Sequence, residues 1–357
     1  MKTKNLITLG SILILIVAIT LVTEKLNSPK KSKNTTDIFL PGFSMANCSA
    51  FSIKDNSGSV KLRKKDGRWH VSSVLKPKDD KDSSGLATDS TDKKFKFETQ
   101  SEEYRADSAS VQSALEKLNS IKLDDLISQN PEKRDIFEVD TAKGIRVEVW
   151  NAQNKSIGVF FIGKNGPDWN SHYVRTHGSN NVYSVMGSIK YSFFTEENRW
   201  RDKTILKYDS GLTQKISITQ KGSKEVILEK SVDTAGTATW NITQPKKTKT
   251  EKDVVDKLVN NLADFFANDF EKDKSLDDKK MGFEKPTLYV SIELENGDKK
   301  SLIFGNKNKD NKYWVRTDGS EYIFLVYESK LDDYNFSYDQ LKEKKKEEEK
   351  SKKAKKS

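Results

Sequence analysis

The chain of 357 residues (40.6 kDa) is 34% hydrophobic and 32% charged, with a mean hydropathy of −0.76, which excludes a protein that crosses a membrane many times. Its 17 Phe, 11 Tyr and 6 Trp exclude a wholly disordered chain. The net charge of +10 sits at the ends: residues 1–33 hold six Lys and one Glu, residues 342–357 hold nine Lys and four Glu, and residues 34–341 carry no net charge, so no nucleic-acid partner is expected for the body.

Leu6 to Val22 is an uncharged run of 17 residues behind Lys2 and Lys4. At ~1.5 Å per residue it covers ~26 Å, near the lower limit for a ~30 Å hydrocarbon core. No A-x-A-like pattern follows it, as a cleaved signal peptide would require, and the single cysteine, Cys48, lies too far downstream for lipoprotein acylation. Residues 1–33 are therefore expected to be an uncleaved N-terminal transmembrane anchor and its basic flank, touching membrane lipid through residues 6–22. Lys2 and Lys4 favour a cytoplasmic N-terminus, whereas Lys25, Lys30, Lys31 and Lys33 oppose it. The long segment behind an export-like run decides for a single-pass protein with its body on the periplasmic side. A lone thiol makes no intrachain disulfide, and Cys48 reads as a small buried hydrophobe.

The body repeats itself. Phe161-Ile-Gly-Lys-Asn-Gly matches Ile303-Phe-Gly-Asn-Lys-Asn, and His172-Tyr-Val-Arg-Thr-His-Gly-Ser matches Tyr313-Trp-Val-Arg-Thr-Asp-Gly-Ser, at shifts of 142 and 141. Upstream, Val111, Leu115, Leu118 and Ile121 have helical spacing, as do Val255, Leu258, Leu262 and Phe265. Thr250 and Asp253 stand at capping-box spacing, with Asp in place of Glu. Each helix precedes an alternating strand, Ile145 to Val149 or Leu288 to Leu294, as in half-buried antiparallel sheet. Asp66-Gly67 and Asn296-Gly297 mark hairpin turns. Trp69 and Trp240 are expected to be equivalent despite a separation of 171, the excess falling in a polar loop insertion, 77–103. The fold class expected is α+β, with two tandem homologous units of mostly antiparallel sheet and one main helix each. The first unit spans 34–203 and the second 204–341, followed by a solvated Lys/Glu tail, 342–357.

The anchor, the repeated G-x-W-x-[VI] hairpin before an amphipathic helix, and the connector Asn198-Arg-Trp-Arg-Asp-Lys-Thr-Ile-Leu together resemble the bacterial family known as domain of unknown function 4340. In that family an Arg-Asp-Lys segment precedes the second half, as Arg201-Asp202-Lys203 does here. The resemblance implies a membrane-tethered accessory protein beside ABC-type transport or gliding-motility systems, with membrane transporter subunits as partners and no known reaction. The insertion and the Lys-rich tail depart from the family pattern.

No catalytic signature stands out. His172 and His177 are five apart, on opposite faces of a strand, and lack the ligand set of a zinc site. His70 has no evident partner. Asp80-Lys-Asp82-Ser-Ser84-Gly85 opens like a calcium loop, but Thr91 stands where a bidentate Glu belongs. No phosphate-binding glycine motif is present, and no cofactor or metal is expected. The candidate interface residues are the repeated pair Arg175 and Arg316, as cationic contacts for a partner, and Trp200 with Arg201 at the junction. For each the competing role is scaffold: an Arg stem laid on the sheet, or an aromatic clasp. The leading expectation is a non-enzymatic, membrane-tethered accessory or scaffold protein. The alternatives are an envelope ligand-binding module with a groove between the units, and a hydrolase using His70, His172 or His177.

Overall fold

A computed structural model describes residues 39–73 and 102–344. The anchor expected over 1–33, the insertion up to Ser101 and the tail beyond Lys344 lie outside the described residues. Among those described, no helix is long and apolar enough to cross a membrane. The chain divides into two compact units between Asp202 and Lys203.

The first unit contains β1 (Cys48–Lys54), β2 (Ser59–Lys65), β3 (Arg68–Ser73), β4 (Tyr104–Arg105), a long helix (Ser108–Ser120), β5 (Leu126–Ser128), β6 (Ile145–Asn151), β7 (Ser156–Asn165), β8 (Ser171–Thr176) and β9 (Val182–Met186). Its nine strands form one antiparallel sheet in the order β4-β3-β2-β1-β6-β7-β8-β9-β5. The order explains the helix: after β4 the chain crosses from one edge of the sheet to the other, and the helix is the crossing. Val111, Ala114, Leu115 and Leu118 on the helix are buried with Phe51, Ile53, Val60, Leu62, Val147, Val149, Phe160 and Val174 in the main core. Each such Val, Leu, Ile or Phe side chain contributes roughly 1.5–3 kcal/mol by leaving water. Asp107 caps the helix, its carboxylate accepting from the Ala109 and Ser110 N–H groups, which satisfies two donors that a first turn leaves open.

The second unit begins with β10 (Thr204–Lys207), which pairs with β15 (Asp264–Phe266). Its main sheet joins β11 (Thr213–Gln220), β12 (Val226–Val232), β13 (Ala238–Gln244), β14 (Thr248–Lys249), β16 (Asp269–Phe270), β17 (Leu288–Leu294), β18 (Lys299–Lys307), β19 (Lys312–Arg316) and β20 (Phe324–Tyr327). The order β14-β13-β12-β11-β17-β18-β19-β20-β16 repeats the first sheet strand for strand. Registers agree as well: Phe51 opposes Leu62 and Val149, and Ile216 opposes Leu228 and Ile292. The second long helix, Lys252–Ala263, buries Val255, Leu258, Val259 and Leu262. Phe265, expected on that helix, lies in β15 instead.

The capping box expected at Thr250 is replaced by other contacts. The N-cap is Glu251, with no side-chain cap bond, because the Thr250 hydroxyl donates to the Trp240 carbonyl at 2.7 Å. Trp69 faces Lys64 and Trp240 faces Lys230 across equivalent hairpins. From Trp69 to Trp240 the shift is 171, and from Ala106 to Thr250 it is 144, so the first unit carries 27 more residues between its third and fourth strands (171 less 144).

A second, smaller core lies on the outer face of each sheet. In the first unit a strap running from Pro131 to Gly144 lays Phe137 and Val139 over Phe161, Val182 and Tyr173. In the second, Met281 and Phe283 cover Ile303, Trp314 and Leu325. The glycine of each repeated motif lies under this strap. A Cβ on Gly163 would stand 2.1 Å from the Phe137 carbonyl oxygen, and one on Gly305 2.1 Å from that of Met281. Gly163→Ala and Gly305→Ala should each lower stability by about 1–3 kcal/mol through this overlap. Gly211→Ala, whose Cβ would meet only the Asp209 carboxylate at 3.1 Å, should cost under ~0.5 kcal/mol. Urea unfolding of the three variants measures the difference.

Candidate functional site

Arg175 and Arg316 occupy equivalent ladder positions, Arg175 opposite Phe161 and Arg316 opposite Ile303. Both sit at the strap. Arg175 is 4% exposed, and its Nε donates to the Val139 carbonyl at 2.9 Å and its Nη1 to that of Ser179 at 3.1 Å. The guanidinium also lies 4.6 Å above the Phe161 ring. It ties the strap and the turn after β8 to the sheet. Arg316 lies 4.3 Å from the Phe283 ring and pairs with Asp278 at 2.8 Å, with 27% of its side chain exposed. One geometry is thus held by forked bonds to backbone in the first unit and by a half-open ion pair in the second.

Trp200 and Arg201 close the first unit. Trp200 is buried, its ring 5.7 Å from Phe51 and its Nε1 donating to the Phe194 carbonyl at 2.9 Å. The Arg201 guanidinium stacks 3.6 Å over the Tyr104 ring, with Glu197 at 3.9 Å. The backbone completes the closure: the Asp107 N–H donates to the Trp200 carbonyl (2.7 Å) and the Asp202 N–H to that of Arg105 (2.9 Å). The second unit repeats this, Glu251 donating to Leu341 (2.8 Å) and Glu343 to Lys249 (2.9 Å). Ala106 bridges Arg201 as Thr250 bridges Lys342. Trp200-Arg201-Asp202 therefore corresponds to Leu341-Lys342-Glu343, a match visible at the shift of 141 as apolar, basic, acidic. Lys342 and Glu343 complete the second unit, although their composition resembles the tail.

The three histidines do not converge. His70 is on β3, opposite Arg63 and Arg105. His172 is fully buried with its ring 5.9 Å from that of Tyr191, while the His177 ring lies tilted against that of Phe161, 6.4 Å between centroids. Burial, with Lys190 nearby as the lesser cause, pushes the His172 imidazole below its ordinary value of 6.5. Burial likewise pushes the Cys48 thiol up to about 12, which suppresses the reactive thiolate. Among the described residues no group of three or more His, Cys, Asp and Glu is placed to hold a metal ion.

One further place does not stand out in the sequence. Trp169 (95% exposed), Met186 (52%) and Tyr191 (63%) are gathered at one end of the first unit. Trp169 is in the loop between β7 and β8, Met186 ends β9, and Tyr191 lies in a single 3-10 turn, Ile189–Ser192. The Asn170 carbonyl accepts from the Gly187 and Ser188 N–H groups at 2.6 and 3.1 Å, and Lys117 Nζ donates to the Gly187 carbonyl at 2.9 Å. Comparing the repeats would have exposed this end: at the shift of 141, Trp169 falls on Asp310 and Tyr191 on Asp332.

The family model described as Domain of unknown function (DUF4340) matches residues 98–239 and again 240–356. No curated protein and no solved structure matches the chain. The two matched segments start just before the long helices, and the cut between them falls inside β13. The recurring sequence segment is thus out of phase with the closed sheets.

Two substitutions separate the arginines. Arg175→Lys, which breaks the forked bonds to backbone, should cost about 1.5–3 kcal/mol, and Arg316→Lys under ~1 kcal/mol for a solvent-screened pair, both read by urea unfolding. His172 gives a pH signature. Its folded pKa lies below its unfolded one, so below 6.5 the unfolded chain binds a proton the folded chain refuses, and stability falls with pH until the folded value is passed. His172→Tyr, which installs the residue found at the equivalent Tyr313, should remove that part of the loss in urea midpoint between pH 7.5 and 5.5.

Proposed function

The chain belongs to the DUF4340 family, and we propose that it is a membrane-tethered, non-enzymatic accessory or scaffold subunit of a membrane transport complex, with its body on the periplasmic side. The observation that carries this reading is the use to which the repeated residues are put. Arg175, Arg316, Gly163, Gly305 and the pair of closing segments all hold the sheets together. What recurs between the units is thus scaffold. Two large antiparallel sheets built this way offer broad, firm surfaces, which suit holding other chains better than turning over a substrate.

The sequence supports the tether. Seventeen uncharged residues from Leu6 to Val22 are enough to cross a thin hydrocarbon layer, and residues 23–38 link them to the first described residue, Phe39. The ABC-type transporter as partner rests on the family resemblance, and a system of the gliding type belongs to the same proposal.

Two measurements test it. The native chain should stay with membranes through carbonate extraction, and Leu13→Arg, which places a charge costing ~2.5–3.5 kcal/mol at the centre of the run, should shift it to the soluble fraction. Cross-linking the tagged chain in membranes should then recover the subunits of an ABC-type transporter. A chain that is extracted freely, or that cross-links to no transporter subunit, sinks the proposal.

A further inference from the structure

Among the described residues of the first unit, four large apolar side chains are exposed: Ile136, Trp169, Met186 and Tyr191. Three of the four gather at the end formed by the β7–β8 loop and the turn after β9. Solvent-exposed apolar side chains that cluster, rather than scatter, mark a surface that something covers. The internal repeat shows that the fold does not need them. The same strands, registers and closing turns are built in the second unit, where the corresponding loop is Asn308-Lys-Asp-Asn-Lys312, Asp332 stands for Tyr191 and Tyr327 stands for Met186. The second unit ends in Asp, Asn and Lys around one exposed phenol, Tyr327, where the first ends in indole, thioether and phenol.

The chemistry of that end fits one occupant. Trp and Tyr are the side chains that settle at the boundary between lipid headgroups and acyl chains, with the ring in the apolar layer and the N–H or O–H among water and headgroups. Around them stand Lys117, whose ammonium is held against the Gly187 carbonyl, Lys190 beside Tyr191, and Lys164 just before the loop, against a single Asp168 within it. Lysines beside exposed aromatics are what an anionic bilayer surface attracts, and Asp124 and Asp125, bonded through backbone to Ser184, also lie by β9. The tether permits the approach. Phe39 packs on Phe160 at 5.0 Å and Leu40 lies against Gly158, toward the start of β7. The seven residue-to-residue steps of strand from Gly158 to Asn165 span ~23 Å. The 16 residues from 23 to 38 reach up to ~55 Å when extended.

We propose that the Trp169–Met186–Tyr191 end of the first unit is an interfacial docking surface that sits in the headgroup region of an anionic membrane, with Lys190, Lys117 and Lys164 meeting the lipid phosphates. The inference rests on the tethered reading above for its biological setting, and adds to it a second contact between body and bilayer.

The test uses the full chain with vesicles of brominated phosphatidylcholine containing about one-third phosphatidylglycerol, reading tryptophan fluorescence. Trp169→Phe identifies the part of the signal that belongs to Trp169, and its far-UV spectrum shows that the fold is kept. Trp169 emission should be quenched by the brominated lipid. Lys190→Ala should weaken the vesicle concentration dependence of that quenching by about fivefold, and vesicles without phosphatidylglycerol should leave it largely unquenched. If the chain floats with the vesicles but the Trp169 signal ignores bromine, the docking surface is overturned and the tether stands. If Trp169 is quenched although Leu13→Arg and native chain float alike, the tether fails and the docking surface stands. Equal quenching in neutral and anionic vesicles overturns the role given to the lysines, and Trp169 protected by an added protein partner but never by lipid overturns the occupant.

Discussion

A backbone carbonyl laid directly over a glycine is the contact on which each unit depends. The nine-stranded sheets have apolar side chains on both faces at their β7–β9 or β18–β20 corners, and one long helix can cover only one face. The second cover is the strap, which must approach so closely that the strand beneath has no room for a Cβ: the Phe137 and Met281 oxygens stand 2.1 Å from where one would be. Everything nearby follows from that approach. The strap needs an anchor, supplied by Arg175 through the Val139 carbonyl and by Arg316 through Asp278 and the Phe283 ring. It also needs a sharp reversal, made by Gly282 in the second unit and by Glu138 at positive φ in the first. The recurring glycine and arginine are two sides of a single steric problem.

Much of this scaffold was legible in the chain. Period-two runs such as Leu288 to Leu294 and helical spacing such as Val111 to Leu118 report burial on one face, and burial is what the sheet and helix require. The repeat itself gave the two tandem sheet-rich units. What stayed hidden depends on distant partners. Thr250 looks like a helix cap, yet its hydroxyl is taken by Trp240, ten residues back across a hairpin. Phe265 continues a helical stripe, yet pairing with β10 pulls it into a strand. Lys342 and Glu343 share the composition of a tail, and only their bonds to Lys249 and Thr250 place them in the sheet. The two arginines recur at matched positions of the repeat, but their sequence context says nothing of how differently each is satisfied.

The repeat also serves as an internal comparison. Where the two units agree, the residue answers a demand of the fold, as the glycines, arginines and closing segments do. Where they differ at a matched position, the fold has left the choice free. Arg175 and Arg316 show one kind of divergence, in which equivalent bonds are rebuilt with different partners. Trp169 and Asp310 show another, in which a solvent-facing position has taken on opposite chemistry. A single sequence carries no alignment, but a duplicated one carries a small alignment of itself, and the informative columns are those that disagree.

The closing segments set the order in which the polypeptide can be completed on the ribosome. Asp107 waits for the carbonyl of Trp200 and Arg105 for the amide of Asp202, so the first sheet gains its last ladder bonds only when residue 202 has left the exit tunnel. Lys203 then opens a sheet of its own, since its carbonyl accepts from Ala267. The last pairing of one unit and the first of the next are thus separated by a single peptide bond. Synthesis from the N-terminus delivers one finished sheet before the strands that could mispair with it appear, which matters for a chain whose two halves present nearly the same edges.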